Sequence, residues 1–392
     1  MSTQYFDLNP PTRLLLGPGP SNVHPRVLRA MATPLVGHLD PEFITIMDET
    51  KRLLQYVFQT DNYLTLPVSG TGSAGMEAAL CNLIEPGDKV VVCVNGLFGE
   101  RMCDIVARCQ GELIRVEAEW GRIIDPEQVE SALKGSKVKL VAIVHGETST
   151  GVLQPLTDIS RLAHEHDALL LVDAVTSLGG CPVKVDEWKL DAVYSGTQKC
   201  LSCPPGLAPI TFGPRAAEAI SARQTKVQSW YLDMTMIQRY WGQERFYHHT
   251  APINMCYALR EALRLIHEEG LEARWQRHEL NHRALMAGLQ AMGLQPFAQA
   301  GHWLPSLNAV RVPEGISDGK VRSRLLQEYG IEIGGGLGKL KGQIWRIGLM
   351  GYNSTKRTVM MCLSALEDVL RAEGYHVSPG AGLIAAEEVY EG

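Results

Sequence analysis

The chain has 392 residues, of which 45% are hydrophobic and 20% charged. This length favours two domains, and the composition is ordinary for a globular protein and far from that of a disordered one. The formal net charge of −6, with the 37 basic residues scattered along the chain, argues against a nucleic-acid-binding or membrane-surface protein.

The cysteines and the absence of targeting patterns predict a cytoplasmic protein. No stretch reaches the roughly 18 apolar residues that a membrane span needs, and the first residues lack the basic and apolar regions of a secretory signal. The nine cysteines are odd in number, and several lie within apolar segments. This usage suits a reducing compartment better than a disulfide framework.

Short apolar runs alternate with helical patterns from about residue 50 to residue 280. The runs KVVVCV (89–94), LVAIV (140–144) and ALLLVD (168–173) are almost continuously hydrophobic, as strands buried on both faces of a parallel sheet are. Strands that alternate with helices predict an α/β doubly wound domain.

The pattern changes after about residue 255. Residues 255–293 predict a long, charged helix, and three strand-like runs follow it: SLNAVRVP (306–313), IEIGGGLG (331–338) and IWRIGLMG (344–351). We therefore expect a short N-terminal arm, a large domain, and a smaller C-terminal α+β domain. The predicted bounds are 1–20, 21–282 and 283–392.

A glycine-rich loop, Gly70 to Gly75, separates a predicted strand from a predicted helix. Its sequence GTGSAG matches the G-x-G-x-x-G fingerprint of dinucleotide-binding folds, but a single match is often only a tight turn. Free backbone N–H groups at a helix start bind an anion in either case, and Thr71 and Ser73 add hydroxyl donors. We expect a phosphate here, with an NAD-dependent oxidoreductase as one alternative.

Polar residues follow other predicted strands at their carboxyl ends. Asp173 ends a buried run, where an ionised carboxylate needs a partner, although capping of the next segment is an alternative. VHGET (144–148) places polar groups at the end of another strand. Ligands of open α/β sheets bind at the carboxyl ends of the strands, so these segments and the glycine-rich loop predict one crevice.

Lys199 follows a further predicted strand, LDAVYSG (190–196). A single lysine in a loop is usually solvated, but this one is expected at the same crevice among small residues. A lysine near a buried acid and a phosphate site is what a pyridoxal-phosphate enzyme needs. Its amine forms a Schiff base with the cofactor aldehyde, and the acid pairs with the pyridinium nitrogen.

Cys200 and Cys203 suggest a competing role for the same segment. A single C-x-x-C pair supplies half of the four ligands of a structural zinc site, and no second pair of suitable spacing occurs. His248 and His249 are adjacent, so in an extended chain they point to opposite sides. We therefore expect no metal site.

Arg346 lies in an apolar, strand-like segment, where its charge needs an anionic partner. One interpretation is a structural ion pair within the C-terminal domain. The other is a bidentate clamp on the α-carboxylate of a substrate, a task that suits the planar fork of arginine.

Together these motifs resemble the class V aminotransferases of pyridoxal-phosphate fold type I, most closely the alanine–glyoxylate and serine–glyoxylate group. The resemblance extends over nearly the whole chain and includes GPGPSN (17–22), SGTGSAGMEAAL (69–80), VHGETSTGVLQPL (144–156), YSGTQK (194–199) and YHHTAP (247–252). It implies a mostly parallel, seven-stranded sheet with helices on both faces, a smaller α+β domain, and a homodimer with shared active sites. In that homodimer the N-terminal arm would contribute to the dimer contact.

The resemblance also implies roles for individual residues. Lys199 would be the Schiff-base lysine, Asp173 would pair with the pyridine nitrogen, and Arg346 would bind the substrate carboxylate. The remaining cofactor contacts would be Thr71, Gly72, Ser73 and Gln198 at the phosphate, Phe98 and Val175 at the ring, and Thr148 near the 3′-oxygen. Tyr247 and Thr250 would reach the phosphate of the neighbouring subunit, and the backbone around Gly37 would line that subunit's substrate pocket.

The activity expected from this resemblance is transfer of an amino group from a small amino acid, alanine first, to glyoxylate, giving pyruvate and glycine. Serine or a ureidoglycine-type donor is the alternative. A lyase or desulfurase of the same fold is more distant, because those enzymes resemble a pattern with histidine directly before the lysine, where this chain has Gln198. A non-catalytic binding protein with the same fold is a further alternative.

Overall fold

The computed structural model describes residues 5–392, which form thirteen strands and thirteen α-helices. The strands are β1 (Leu14–Leu16), β2 (Leu64–Ser69), β3 (Lys89–Val94), β4 (Glu112–Glu117), β5 (Leu140–Val144), β6 (Gly146–Glu147), β7 (Val152–Leu153), β8 (Leu169–Asp173), β9 (Ala192–Tyr194), β10 (Leu207–Phe212), β11 (Leu307–Arg311), β12 (Ile331–Gly335) and β13 (Ile344–Gly348).

The helices lie between and after these strands, and two short 3₁₀ turns, Gly338–Leu340 and Gly351–Asn353, accompany them. The α-helices are α1 (Pro25–Met31), α2 (Pro41–Phe58), α3 (Gly72–Leu83), α4 (Leu97–Arg108), α5 (Pro126–Lys134), α6 (Thr157–Glu165), α7 (Pro214–Ser221), α8 (Met234–Trp241), α9 (Ile253–Glu269), α10 (Leu271–Ala291), α11 (Asp318–Glu328), α12 (Lys356–Ala372) and α13 (Ala381–Glu391). None of the helices within residues 5–392 is both long enough and apolar enough to cross a membrane.

A seven-stranded sheet forms the centre of the larger part of the molecule, in the order β2-β10-β9-β8-β5-β3-β4. The strands from β9 to β4 pair in parallel, and β10 pairs antiparallel with both of its neighbours. The predicted α/β fold with a mostly parallel seven-stranded sheet is confirmed. The sequence analysis did not predict β10, because Pro209 removes a ladder hydrogen bond and is atypical of an interior strand.

A four-stranded sheet in the order β1-β12-β13-β11 forms the centre of the smaller part of the molecule. Its hydrophobic core includes residues of α10, α12 and α13. Strand β1, which lies within the predicted arm, pairs in parallel with β12, so part of that arm belongs to this sheet. A dimer contact of the arm and the bounds of the two domains remain predictions.

The single long helix predicted over 255–293 is two helices, α9 and α10. Gly270 separates them with a φ of +84°, a backbone conformation that only glycine adopts at little cost. Helix α10 continues past residue 282, where the sequence analysis placed a domain boundary, and it packs against α12 and α13. It therefore connects the two sheets, which matters for the site described below.

Candidate active site

The glycine-rich loop lies between β2 and the start of α3. Thr71 is the N-cap residue of α3, yet its side chain makes no capping hydrogen bond, so its hydroxyl is not used by the helix. Ser73, in the first turn, is exposed. A Cβ atom on Gly72 would lie 3.3 Å from the side chain of Val175. The loop thus presents free N–H and O–H donors beside the end of β8, as an anion site requires.

Asp173 is the last residue of β8 and is buried. Its Oδ1 accepts a hydrogen bond from the backbone N–H of Val175 at 2.8 Å, and its Oδ2 accepts one from the Tyr194 hydroxyl at 2.7 Å. Burial raises the pKa of Asp173 to about 6, and the two hydrogen bonds oppose that rise. A cation placed against this carboxylate would therefore be strongly attracted to it.

Tyr194 is a site residue that the sequence analysis missed. It lies on β9, where it pairs in register with Asp173 on the parallel neighbour β8. Residues opposite each other on neighbouring strands have side chains on the same face of the sheet. A tyrosine at the end of β9 could therefore have been predicted to contact Asp173. That prediction requires knowing that β9 lies next to β8, which the sequence alone does not give.

Lys199 is buried, with 8% of its surface exposed, in the turn that follows β9. Its Nζ donates a hydrogen bond to the backbone carbonyl of Pro18. Burial, followed by the nearby charge of Arg346, lowers the pKa of the Lys199 amine to about 8. A substantial fraction of an amine in this state is neutral near pH 8, as a nucleophile or a general base must be.

The segment GPGPS (17–21) covers Lys199, which the sequence analysis did not predict. A Cβ atom on Gly19 would lie 2.6 Å from Cδ of Lys199, and Gly19 has a φ of +102°. Ser21 donates its backbone N–H to the Gln198 carbonyl at 2.9 Å and its hydroxyl to the Lys199 carbonyl at 3.0 Å. Only glycine at position 19 lets the chain approach the lysine this closely.

Arg346 is buried in β13 and faces the large sheet. Its Nε donates to the Gly335 carbonyl at 2.8 Å and its Nη1 to the Thr148 carbonyl at 3.1 Å. Within residues 5–392 it forms no ion pair with a carboxylate, so the structural ion pair considered above has no counterpart there. Burial lowers the pKa of Arg346 to about 10, and the guanidinium is still charged at neutral pH.

Thr148 and Glu147 lie next to Arg346 in the same crevice. The Thr148 hydroxyl lies 2.8 Å from that of Thr176. Glu147 is fully buried and accepts hydrogen bonds from the Phe98 N–H at 3.1 Å and from the Ser149 N–H at 3.0 Å. Burial raises the pKa of Glu147 to about 7. Glu147 thus fixes the backbone of Phe98; the sequence analysis noted its segment but not its role.

Gln198 carries a polar atom without a partner. Its Oε1 is buried and accepts no hydrogen bond from the described residues, although buried polar groups are normally satisfied. A rotation of this amide, which has no partner to hold its oxygen, would turn the Nε2 donor toward a phosphate oxygen. Together with the buried amine of Lys199, the buried carboxylate of Asp173 and the free donors at the start of α3, it fits a bound pyridoxal phosphate, the cofactor that the resemblance implies.

Three predicted site residues lie outside this buried crevice. Gly37 and Thr250 are exposed, and the side chain of Tyr247 is more than half exposed. The ring of Tyr247 packs 5.3 Å from that of His38, the neighbour of Gly37. These residues form an exposed patch, which we call the aromatic patch, and the contacts of this chain do not link it to Lys199.

The cysteines and histidines considered above as metal ligands are buried or hydrogen-bonded within the protein. Cys200 and Cys203 are both buried free thiols, and burial raises the pKa of Cys200 to about 11. Nε2 of His249 lies 2.7 Å from the Ser69 hydroxyl, and its Nδ1 lies 2.8 Å from Nδ1 of His248. Across residues 5–392 no three histidine, cysteine or acidic side chains cluster in a way that could hold a metal ion.

Comparison with known proteins gives the same family as the site. The chain is 44% identical over 403 residues to the (S)-ureidoglycine–glyoxylate transaminase of Bacillus subtilis, covering 98% of this chain and 97% of that protein. It is 44% identical over 368 residues to the alanine–glyoxylate aminotransferase of Callithrix jacchus, covering 93% and 89%.

Solved structures agree with this assignment. The ureidoglycine–glyoxylate aminotransferase of Bacillus subtilis matches with a TM-score of 0.97 at 46% identity and covers 99% of this chain and 100% of that one. The alanine–glyoxylate aminotransferase of Nostoc matches with a TM-score of 0.93 at 50% identity, covering 94% and 98%. The predictions of the fold and of an aminotransferase are confirmed. Residues 14–371 match the family described as aminotransferase class-V, and the chain belongs to that family.

Proposed function

We propose that the protein uses pyridoxal phosphate to transfer an amino group from a small amino acid, alanine first, to glyoxylate, giving pyruvate and glycine. The observation that carries this proposal is the convergence of Lys199, Asp173 and Arg346 on one buried crevice. Each is an ionisable group removed from water, and none forms an ion pair with another residue in the described chain. A bound cofactor and substrate would supply a partner for each: an aldehyde for Lys199, a protonated ring nitrogen for Asp173 and a carboxylate for Arg346.

The proposed cofactor contacts follow from the placement of the side chains. Thr71, Gly72 and Ser73 at the start of α3, together with Gln198, would hold the phosphate. Asp173 would hold the ring nitrogen in its protonated form. The side chains of Phe98 and Val175 and the hydroxyl of Thr148 would hold the ring and its oxygen.

Pyridoxal phosphate supplies an aldehyde that takes up the amino group and a ring that accepts the electron pair of the broken Cα–H bond. The work of the chain is to place and move protons. Lys199, with its pKa lowered to about 8, would act as the base that takes the proton from Cα and then as the acid that delivers it to C4′, the former aldehyde carbon of the cofactor. Pro18 and Gly19 cover this amine and exclude water from it.

Arg346 would bind the carboxylate shared by every amino-acid donor and by glyoxylate. Its Nη2 makes no hydrogen bond within the described chain, while Nε and Nη1 are held by backbone carbonyls. The guanidinium is therefore fixed in position with donor capacity left for a ligand. Glyoxylate has no side chain, so a small pocket suffices for it.

A ureidoglycine-type donor is the second candidate. The relative named for that donor aligns with 98% of this chain, compared with 93% for the alanine–glyoxylate relative from Callithrix. Serine remains a third possible donor. Pockets of this kind separate donors that differ by a methyl or hydroxyl group by only about 10–200-fold, so rates with matched donors must decide.

The test is a half-reaction followed by visible absorbance. Protein reconstituted with pyridoxal phosphate should be yellow, lose the colour when alanine is added in the absence of a keto acid, and regain it with glyoxylate. Parallel reactions with serine and with ureidoglycine rank the donors by their rates.

Each result has a distinct meaning. Protein that takes up no cofactor would refute the proposal, and so would loss of the colour that glyoxylate does not restore. A ureidoglycine rate far above the alanine rate would replace the donor while keeping the reaction type.

We further propose a homodimer in the cytoplasm, with Tyr247, Thr250 and Gly37 completing the site of the neighbouring subunit. This would give the exposed aromatic patch a partner. Sedimentation at graded protein concentrations tests the assembly, and a monomer at all concentrations would contradict it.

A further inference from the structure

The first two turns of α10 carry three polar side chains for which the site described above leaves no role. Arg274 and His278 are buried, and Arg277 is about 29% exposed. A buried guanidinium costs free energy unless its charge and its N–H groups find partners. The partners of these side chains therefore indicate what they hold.

Arg274 joins two loops that leave the large sheet, one after β8 and one after β9. Its Nε donates to the Gly179 carbonyl at 2.8 Å and its Nη2 to the Cys200 carbonyl at 2.5 Å. Its charge is balanced by Glu269, at 2.6 Å from Nη1. Cys200 directly follows Lys199 in the chain, so Arg274 fixes the backbone from which that amine extends.

Arg277 and His278 hold the turn that follows β13, the strand of Arg346. Nη1 of Arg277 donates to the carbonyls of Gly351 at 3.0 Å and Ser354 at 2.6 Å. Nε2 of His278 accepts the Gly351 N–H at 2.9 Å, and burial together with the two neighbouring arginines lowers the pKa of His278 to about 3. The imidazole is therefore neutral, as an acceptor of that bond must be.

The two held segments also touch each other. Gly351 has a φ of +55°, and a Cβ atom there would lie 2.5 Å from the Cys200 carbonyl oxygen. The N–H of Tyr352 donates to the Ser202 hydroxyl at 2.8 Å. Because Gly351 lets one segment pack closely against both the Cys200 carbonyl and the Ser202 hydroxyl of the other, a shift of one segment displaces the other.

We infer that Arg274, Arg277 and His278, here called the α10 clamp, set the distance between the amine of Lys199 and the guanidinium of Arg346. This rests on the proposed function, in which these two groups act on the same amino acid, one at its nitrogen and one at its carboxylate. The clamp residues touch neither group, so they are positioning residues. Their effect is on the alignment of a ligand that carries both an amine and a carboxylate.

The test compares two reagents that differ in the carboxylate. Aminooxyacetate and methoxyamine both condense with the cofactor aldehyde through their aminooxy nitrogen and release the amine of Lys199, but only aminooxyacetate can also bind Arg346. In Arg274→Lys, a compact ammonium replaces the planar fork that spans two carbonyls. The ratio of the aminooxyacetate rate to the methoxyamine rate should fall about tenfold, since a misplacement of 1 Å can cost about a hundredfold.

Three further variants calibrate this ratio. Arg346→Ala should lower it at least as far, because the carboxylate contact itself is removed. Arg277→Lys should also lower the ratio, and because Arg277 is less buried than Arg274, this variant guards against a folding defect in Arg274→Lys. Arg324→Lys should leave it unchanged, because the Arg324 side chain pairs with Glu328 and Glu373 and not with the turns that the clamp holds.

The outcomes separate the inference from the function on which it rests. If the wild-type protein binds no cofactor that these reagents capture, the proposed function fails. If the wild type reacts and the folded clamp variants keep its ratio, the clamp inference alone is overturned, because a merely structural role would lower thermal stability without changing the ratio.

Discussion

The predicted site residues fall into two regions with opposite properties. In the crevice, Lys199, Asp173 and Arg346 are at most 8% exposed and are held by hydrogen bonds within one chain. In the aromatic patch, the side chain of Tyr247 is 56% exposed, and Thr250 is exposed as well. The crevice is thus preorganised by the fold of one chain, whereas the patch gains a defined environment only if a second surface covers it.

The largest effect should come from the amine of the crevice. Lys199→Ala removes both the covalent link to the cofactor and the general base, and we expect kcat with alanine and glyoxylate to fall by at least about 10²–10⁴-fold, the scale of general acid–base catalysis. Steady-state assays at saturating cofactor measure this. Retained turnover in a correctly folded variant would remove Lys199 from the mechanism.

Asp173→Asn should lower kcat by about 10²–10³-fold, the scale of losing one preorganised electrostatic contact in a site without water. Asparagine keeps the size of the side chain, and its oxygen can still accept the Val175 N–H while its amide N–H donates to the Tyr194 oxygen, so the change isolates the charge. Tyr194→Phe serves as the matched control, because it removes a hydrogen bond and leaves the carboxylate. A similar loss in both variants would show that position, and not charge, is what matters.

The pH dependence of cofactor uptake should reveal the burial of Lys199. Only the neutral amine attacks the aldehyde, so the rate of reconstitution of the cofactor-free protein should rise about tenfold per pH unit below the pKa. It should level off near pH 8, where burial places the pKa of this amine, and not near 10.5. Stopped-flow absorbance between pH 6 and pH 10 measures the midpoint, and a midpoint near 10 would mean a solvated lysine.

Arg346→Ala should weaken donor and acceptor binding by about 1.5–3 kcal/mol, the scale of a charge-assisted hydrogen bond. We expect this loss as a rise in KM for both substrates. Arg346→Lys should recover only part of it, because lysine cannot bind a carboxylate through two parallel N–H groups. An unchanged KM for alanine and for glyoxylate would return Arg346 to a structural role.

The smallest effect is expected from the aromatic patch. Thr250→Val should weaken cofactor affinity by about 1 kcal/mol, the net value of one hydrogen bond, and Tyr247→Phe should do the same. Titration of the cofactor-free protein gives both affinities. If neither changes, the patch takes no part in cofactor binding, and the contrast between the two regions becomes one of function as well as burial.

The sequence was informative where a local pattern determines the structure. The nearly continuous apolar runs ending in Asp173 and Val144 predicted buried parallel strands, and the glycine-rich loop lies at the start of a helix as expected. Strand β10 was not predicted because it contains Pro209, and proline is atypical of an interior strand. The helix over 255–293 was predicted without its break at Gly270. Both errors arose from a single residue whose backbone role depends on its neighbours in space.

The site could be predicted only in part for a similar reason. Lys199 and Arg346 were identified individually. Nothing in the local sequence predicted that the Pro18 carbonyl accepts from the Lys199 amine, or that the Glu147 carboxylate accepts from the Phe98 N–H. These contacts join segments more than 45 residues apart in the chain. They depend on strand order and on the close approach of backbones, which a pattern of residue types along one segment does not contain.

The central claim is that Lys199 carries the cofactor in this crevice. Reconstitution with pyridoxal phosphate, reduction of the carbon–nitrogen double bond with borohydride, and mass mapping of the peptides test it directly. We expect the phosphopyridoxyl group on Lys199 alone, in a peptide that includes Cys200. A label on any other lysine, or no stable label on a protein that still transfers amino groups, would contradict the account.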